Sequence, residues 1–335
     1  MSDHPAPRSR PVRVVASVAL VLVALIVTTG PAAAISGVRW PVQSRGDRGT
    51  DVLAIQLLLS DRLGPDADPA TLPPTDGVFG VATDAAVRSF QTASRLAANG
   101  IVAGTTWIRL TRGLAVGATG DAVRALQVEL VEKRRAAVAV DGVFGASTQT
   151  AVLAFQAHMA LPRTGGVDSA TWRALTWHYE LPRFSSTSLC DYSVGNGPAN
   201  WGTVETIDNL EAAGRRMVRA GYGRIAVGDI SLEHGGDIAG HATHERGLDI
   251  DIRPLRKAND QCTRRTLWTS TAYDRAATRT MVKAFRALAR GHVKLIYFND
   301  PVLIREGLTR WHSGHDDHLH VRFCEAIDPL STYDC

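Results

Sequence analysis

Apolar residues recur at helical spacing through the first half of this 335-residue chain, and strand-like alternation appears in the second. From Thr50 to Leu63, the residues Val52, Leu53, Ile55, Leu57 and Leu59 make a broad apolar face behind an Asp/Thr cap region, which predicts a helix. The turn Asp76-Gly77-Val78-Phe79-Gly80 follows, with glycines for a tight backbone and a phenylalanine to plug the core. Ala85, Ala86, Val87 and Phe90 mark a second helix, and Trp107 and Leu110 a short third. The same signals then return. Asp141-Gly142-Val143-Phe144-Gly145, Phe155-Gln156 and Thr171-Trp172 each follow their first copies by 65 residues. Upstream, Gly49-Thr50-Asp51-Val52 with Gln56 matches Gly120-Asp121-Ala122-Val123 with Gln127 at an offset of 71. The difference falls in the Pro/Asp-rich stretch from Gly64 to Thr75, a surface loop that tolerates insertion. Two copies of a small three-helix unit are predicted. Neither gathers His, Cys and acidic residues for chemistry, and the repeated Phe and Trp are expected to serve the fold.

Past residue 188 the period changes. Leu248, Ile250 and Ile252 alternate with Asp249, Asp251 and Arg253, and Leu319, Val321 and Phe323 alternate with His318, His320 and Arg322. Period two is the mark of a half-buried strand. Ile225-Ala226-Val227 and Leu295 to Phe298 read as further strands. A helix from Val204 to Ala220, with Leu210, Ala213, Met217 and Val218 inward, and another from Asp274 to Arg290 complete the pattern. Helices on one side of a small antiparallel sheet make an α+β domain.

The N-terminus adds a targeting signal. Arg8, Arg10 and Arg13 precede an apolar run from Val14 to Val27, and Ala32-Ala33-Ala34 supplies small residues at its exit. This reads as a signal peptide over residues 1–34. The alternative is a membrane anchor, but 14 residues at ~1.5 Å each span roughly 21 Å, short of the ~30 Å hydrocarbon core. Cleavage would remove three arginines and Asp3, taking the formal charge from +4 to +2. So balanced a protein is not expected to bind nucleic acid. The four cysteines, Cys190, Cys262, Cys324 and Cys335, are scattered and even in number. In an exported chain that predicts two disulfides, in any of three pairings.

Eight of the eleven histidines lie between His234 and His320. Six form two clusters, His241 and His244 ahead of the Asp249 to Ile252 strand, and His312, His315, His318 and His320 around the last one. Two strands thus bring imidazoles and carboxylates to polar faces that can converge in one cleft. Three ligands of the His, Asp, His type with one open position describe a catalytic zinc site. His234 and His292 stand apart and read as structural, while His158 and His178 lie outside this region.

Two resemblances sharpen the picture. The repeated pattern G-x-x-G-x-x-V-x-x-L-Q, DG-x-FG, T-x-x-AV-x-x-FQ, TW-x-x-L resembles the three-helix peptidoglycan-binding domain, which implies a cell-wall partner. H-x6-D followed far downstream by H-x-H resembles the LAS group of zinc peptidases, named from lysostaphin, D-Ala-D-Ala peptidases and sonic hedgehog. The extended motifs H-x-[ST]-H-x-x-G-x-x-x-D and G-H-x-x-H-x-H-V-R look most like the penicillin-insensitive murein endopeptidases. That resemblance implies one Zn²⁺ bound by His244, Asp251 and His320. It implies His318 as an unliganded catalytic histidine, His315 as water-activating base with His318 the alternative, and His241 as a supporting histidine in the cleft.

The expected organisation is a signal peptide (1–34), two all-α peptidoglycan-binding repeats (40–112 and 113–176), a linker (177–188) and an α+β zinc peptidase domain (189–335). The protein is expected to be secreted, wall-associated and, once the signal is cleaved, not stably membrane-bound. Endopeptidase action on peptide crosslinks is the first reading. A carboxypeptidase trimming terminal D-alanine and a wall amidase use the same chemistry. A non-catalytic wall-binding protein is the alternative of another class, which the complete set of histidines and Asp251 argues against.

Overall fold

A buried glutamine organises each half-repeat. In the computed structural model, which describes residues 1, 38–64, 71–193, 199–325, 332, 333 and 335, Gln56 sits on α1 (Thr50–Leu63). It accepts from Gly77 N and donates to Asp76 Oδ1, Val78 O and Thr83 Oγ1. The turn into α2 (Val81–Ala93) is thereby tied to α1. Gln127 on α4 (Asp121–Arg134) does the same with Gly142, Asp141, Val143 and Thr148 at the entry to α5 (Ala146–His158). Gln91 and Gln156 hold the turns into α3 (Gly104–Leu110) and α6 (Ser169–Trp177) in the same way. A buried amide with all of its hydrogen bonds made costs little, and this accounts for the repeated glutamines. Trp107 and Trp172 are fully buried, and their indoles donate to Pro41 O and Arg112 O. These residues serve the fold. The expected signal peptide falls, apart from Met1, outside the described residues, as do residues 65–70 of the long loop.

The two repeats share one core. Val52, Ile55 and Leu58 of α1 and Val123, Leu126 and Leu130 of α4 belong to the same buried cluster. Lys133, fully buried, pairs with Asp51 at 2.6 Å and Glu129 at 3.0 Å and donates to the carbonyls of Leu175 and Thr176. This ion knot crosses from one repeat to the other.

The C-terminal part is built on a five-stranded sheet in the order β1-β2-β3-β5-β4. Its strands are β1 (Leu189–Asp191), β2 (Ile225–Val227), β3 (Asp249–Ile252), β4 (Val293–Tyr297) and β5 (Leu319–Phe323). The sheet is mixed, not purely antiparallel as expected, because β1 pairs with β2 in parallel. The long connection between those strands carries α7 (Val204–Arg219), which makes the parallel return feasible. α8 (Arg275–Leu288) packs beside α7, and a short α9 (Pro301–Arg305) follows β4. Thr203 and Asp274 cap α7 and α8 by accepting from Thr206 N and Ala277 N. Leu210, Ala213 and Met217 are fully buried, but Val218, expected inward, is 37% exposed. No described helix is long and apolar enough to cross a membrane. The disulfides pair Cys190 with Cys262 and Cys324 with Cys335.

Residues 177–188 connect the two cores and are themselves packed. His178, Tyr179 and Glu180 are buried, and Glu180 and Gly202 exchange backbone hydrogen bonds of 2.8 and 2.9 Å. Arg48 of the first repeat meets Asp208 of α7 at 2.6 Å. Gly49, at φ +109°, lies so close to α7 that a Cβ would come within 2.4 Å of Val204 Cγ1.

Candidate metal centre

Strand register puts the acidic and basic groups together. Asp251 on β3 lies directly opposite His320 on β5, and Asp249 opposite Arg322. Both strands are buried on both faces, not half-exposed as alternation predicts. The polar face is covered because its charges satisfy one another: Asp249 accepts from Arg322 Nε at 2.7 Å, Tyr333 OH at 2.9 Å and His320 Nε2 at 2.8 Å.

His244 arrives from the loop before β3 in a left-handed conformation, φ +76°. Its amide donates to Asp249 Oδ2 and its ring Nδ1 to Ile230 O at 2.9 Å, which overdetermine that backbone. With Nδ1 engaged as donor, Nε2 carries the lone pair. His320 Nε2 donates to Asp249 Oδ1 and its Nδ1 faces Asp251 Oδ1. His244 Nε2 and His320 Nδ1 converge with Asp251 Oδ1. His244 Nε2 to His320 Nδ1 is 3.1 Å, His320 Nδ1 to Asp251 Oδ1 is 3.1 Å, and His244 Nε2 to Asp251 Oδ1 is 3.3 Å. Tetrahedral ligands about 2.0–2.1 Å from one ion lie roughly 3.3 Å apart. All three residues are buried. A His, Asp, His donor set with ring orientations fixed by hydrogen bonds fits a zinc-type ion, which would displace the proton on His320 Nδ1. His241 offers a further nitrogen near His244 and Asp251, but its Nε2 is engaged with Asp229 Oδ2 at 3.1 Å.

The buried charges of the site offset one another. Burial alone would raise the pKa values of Asp249 and Asp251, but His320 with Arg322, and His244 with His320, hold them well below the usual carboxylate range. Burial pulls His320 down, but hydrogen bonds and charge from the two carboxylates outweigh it and take its pKa up to about 9.

The remaining histidines line the approach. His318 Nδ1 donates to Asp317 Oδ1, 3.1 Å away, and its Nε2 turns toward Asp251 Oδ1 at 3.9 Å. His315 Nδ1 donates to Ser313 O at 2.9 Å, and its ring lies 4.7 Å from that of His318 and 5.8 Å from that of His320. Burial, with His318, His320 and His312 nearby, takes the His315 pKa down to about 4. A cleft of about 430 Å³ opens here, lined by Asp251, His318, Asp229, Asp317, Arg253 and Arg265 among others. A larger one, about 670 Å³, lies where the repeats meet α7; its lining contains no histidine.

All six sequence-predicted site residues therefore meet at one place. Asp249 and Tyr333 were not anticipated. Asp249 carried a signal, since alternation puts it on the same face as Asp251; Tyr333, 84 residues away from Asp249, carried none.

Comparison with known proteins gives the same order along the chain. Residues 48–110 and 119–175 match the peptidoglycan binding domain family, and residues 196–296 match the family of penicillin-insensitive murein endopeptidases. The second match includes His241, His244 and Asp251 and ends before the C-terminal histidine cluster. A penicillin-insensitive murein endopeptidase of Haemophilus influenzae is 26% identical over 166 residues, which covers 40% of this chain and 58% of that protein's length. Along the chain, two stretches that match the peptidoglycan binding domain family thus precede one that matches the family of penicillin-insensitive murein endopeptidases.

Proposed function

We propose that this protein is a zinc-dependent endopeptidase that cuts peptide crosslinks of bacterial peptidoglycan outside the cytoplasm. The convergence of His244 Nε2, Asp251 Oδ1 and His320 Nδ1 within 3.1–3.3 Å carries the reading. In this proposal those three residues hold the ion, residues 40–112 and 113–176 grip the wall, and 189–335 form the catalytic domain behind a cleaved signal. When bound, zinc supplies Lewis-acid polarisation of a carbonyl and water of lowered pKa.

The protein's own groups do the rest. His315, neutral and with Nδ1 held by Ser313 O, presents Nε2 as the base that takes a proton from the attacking water. His318, oriented by Asp317, presents Nε2 toward the oxygen on which charge develops, and the proton His315 has taken from the water passes on to the leaving amine. Asp229 positions His241 beside His244. Two disulfides and the wall-binding repeats support an extracytoplasmic site of action.

The test is digestion of purified crosslinked peptidoglycan followed by mass spectrometry of the muropeptides. Crosslinked dimers should convert to monomers, with chelation stopping the reaction and zinc restoring it. Release of free D-alanine alone, of stem peptides detached from glycan, or of nothing would each reject the endopeptidase assignment.

A further inference from the structure

A second convergence of metal-type ligands lies between the second repeat and the peptidase region. His158 ends α5, His178 follows α6, and Glu233 and His234 sit on the loop between β2 and β3. His158 Nε2 is 3.0 Å from Glu233 Oε1, His178 Nε2 is 3.4 Å from the same oxygen, and the two Nε2 atoms are 3.4 Å apart. His234 brings a fourth ligand, so that one atom from each of the four residues lies within 4.8 Å of the others. Its ring stacks on Trp177 and stands 5.4 and 5.3 Å from the rings of His158 and His178. Its Nδ1 is buried without a hydrogen-bond partner, an expensive state for a polar atom.

The tautomer of His178 suits a cation. His178 Nδ1 donates to Tyr179 O at 2.7 Å, so its Nε2 faces the cluster with a lone pair. Burial lowers the pKa of His158 and His234 and takes that of His178 down to about 4. A cation already samples the position: Arg134 Nη1 sits 2.5 Å from Glu233 Oε1 and 3.4 Å from His178 Nε2. The Arg134 side chain is partly exposed.

We propose that His158, His178, Glu233 and His234 form a second divalent-metal site, structural and of zinc type, that pins the second repeat to the loop leading into the metal-centre histidines. Three imidazoles and a carboxylate suit zinc, and four protein ligands leave no open position, the mark of a structural site. The loop it fixes matters for the other centre. After His234, Gly236 N donates to Glu245 O, the residue next to His244, and a Cβ on Gly235 would come within 2.4 Å of that same oxygen. Zinc and the Arg134 guanidinium are alternatives at Glu233, so the clamp is tightest when the arginine is displaced.

The experiment uses the full chain, stripped with a chelator and titrated with Zn²⁺ alone, with bound metal counted after desalting. H244A, which removes a ligand of the first centre, should still hold one equivalent, and H244A/H158Q should hold none. R134Q, which keeps all four ligands, should tighten the His158-dependent equivalent about tenfold, because a hydrogen bond from a charged donor no longer has to be broken. Cobalt in H244A should give the visible absorption of a tetrahedral N/O site, lost on adding H158Q. Wild type against H244A judges the first centre; each H158Q protein against its parent judges this one. If H158Q costs no metal in either background, the second site does not exist; if H158Q costs one equivalent but R134Q leaves affinity unchanged, the proposed competition between the ion and Arg134 is overturned.

Discussion

His318 and His320 stand two residues apart, yet the structure gives them different surroundings. His320 is locked between two carboxylates, with one nitrogen on Asp249 and the other beside Asp251, whereas His318 is held only through Asp317 and leaves Nε2 toward the cleft. His320→Ala should therefore lose zinc and activity together. His318→Ala should keep its zinc and melting temperature while turnover falls about 10²–10⁴-fold, the usual worth of an oxyanion or proton-transfer group. Zinc content, a thermal melt and wall hydrolysis on the same preparations decide it; loss of metal in both variants would end the division of roles. Asp249 supports the site from behind. Asp249→Asn should weaken zinc binding about 10–100-fold while the ligands themselves remain, because a neutral amide no longer fixes His320 and Arg322. Competition with a chromogenic chelator measures this, and unchanged affinity would make Asp249 purely structural. Motif spacing picked out six residues that the fold brings close together. Asp249 was visible but unassigned, since alternation says which face a carboxylate occupies and not whether it touches the ion or the ligand behind it.

At the scale of elements, the three-helix units and the two central strands were legible because each carries its own period. The first strand, β1, is three residues long and follows a Ser/Thr run, so it had no periodicity to detect; its parallel partner is set by tertiary packing. Val218 misled for a related reason. Its helical spacing is inward, but the rim of α7 where it sits faces the cleft beside the repeats. The segment after α6 carries a further consequence. Burial takes the Glu180 carboxyl from 4.5 up to about 7 in spite of Lys133 nearby. Between those values the folded protein holds a proton that the unfolded chain releases, so this residue makes stability fall as pH rises from about 4.5 to 7 and contributes no further change above. The shift corresponds to about 3 kcal/mol. Glu180→Gln should remove most of that slope, as read from denaturant melts at pH 5 and pH 8; an unaltered slope would mean the carboxyl is ionised throughout.

For the molecule as a whole, the repeats are packed against the peptidase region, through Arg48–Asp208, Arg134–Glu233 and the close approach of Gly49 to Val204. Deleting residues 35–176 should lower the melting temperature by uncovering that boundary. Below the new melt, hydrolysis of a soluble muropeptide should stay within a few-fold of the full chain while lysis of intact wall drops sharply, since the repeats raise local concentration on an insoluble polymer. Equal losses on both substrates would make the repeats part of the catalytic unit. The shared boundary also changes what attachment means. An enzyme on a slack leash roams a volume and cuts whatever drifts past. One bolted to its grip works as a caliper, because the jaw reaches only bonds at one set distance and angle from the strand being held. Under the proposed function, the scars left in a glycan mesh would then be spaced by the enzyme's own dimensions, and a wall whose strands run at another pitch would escape it although every bond in it is chemically the same.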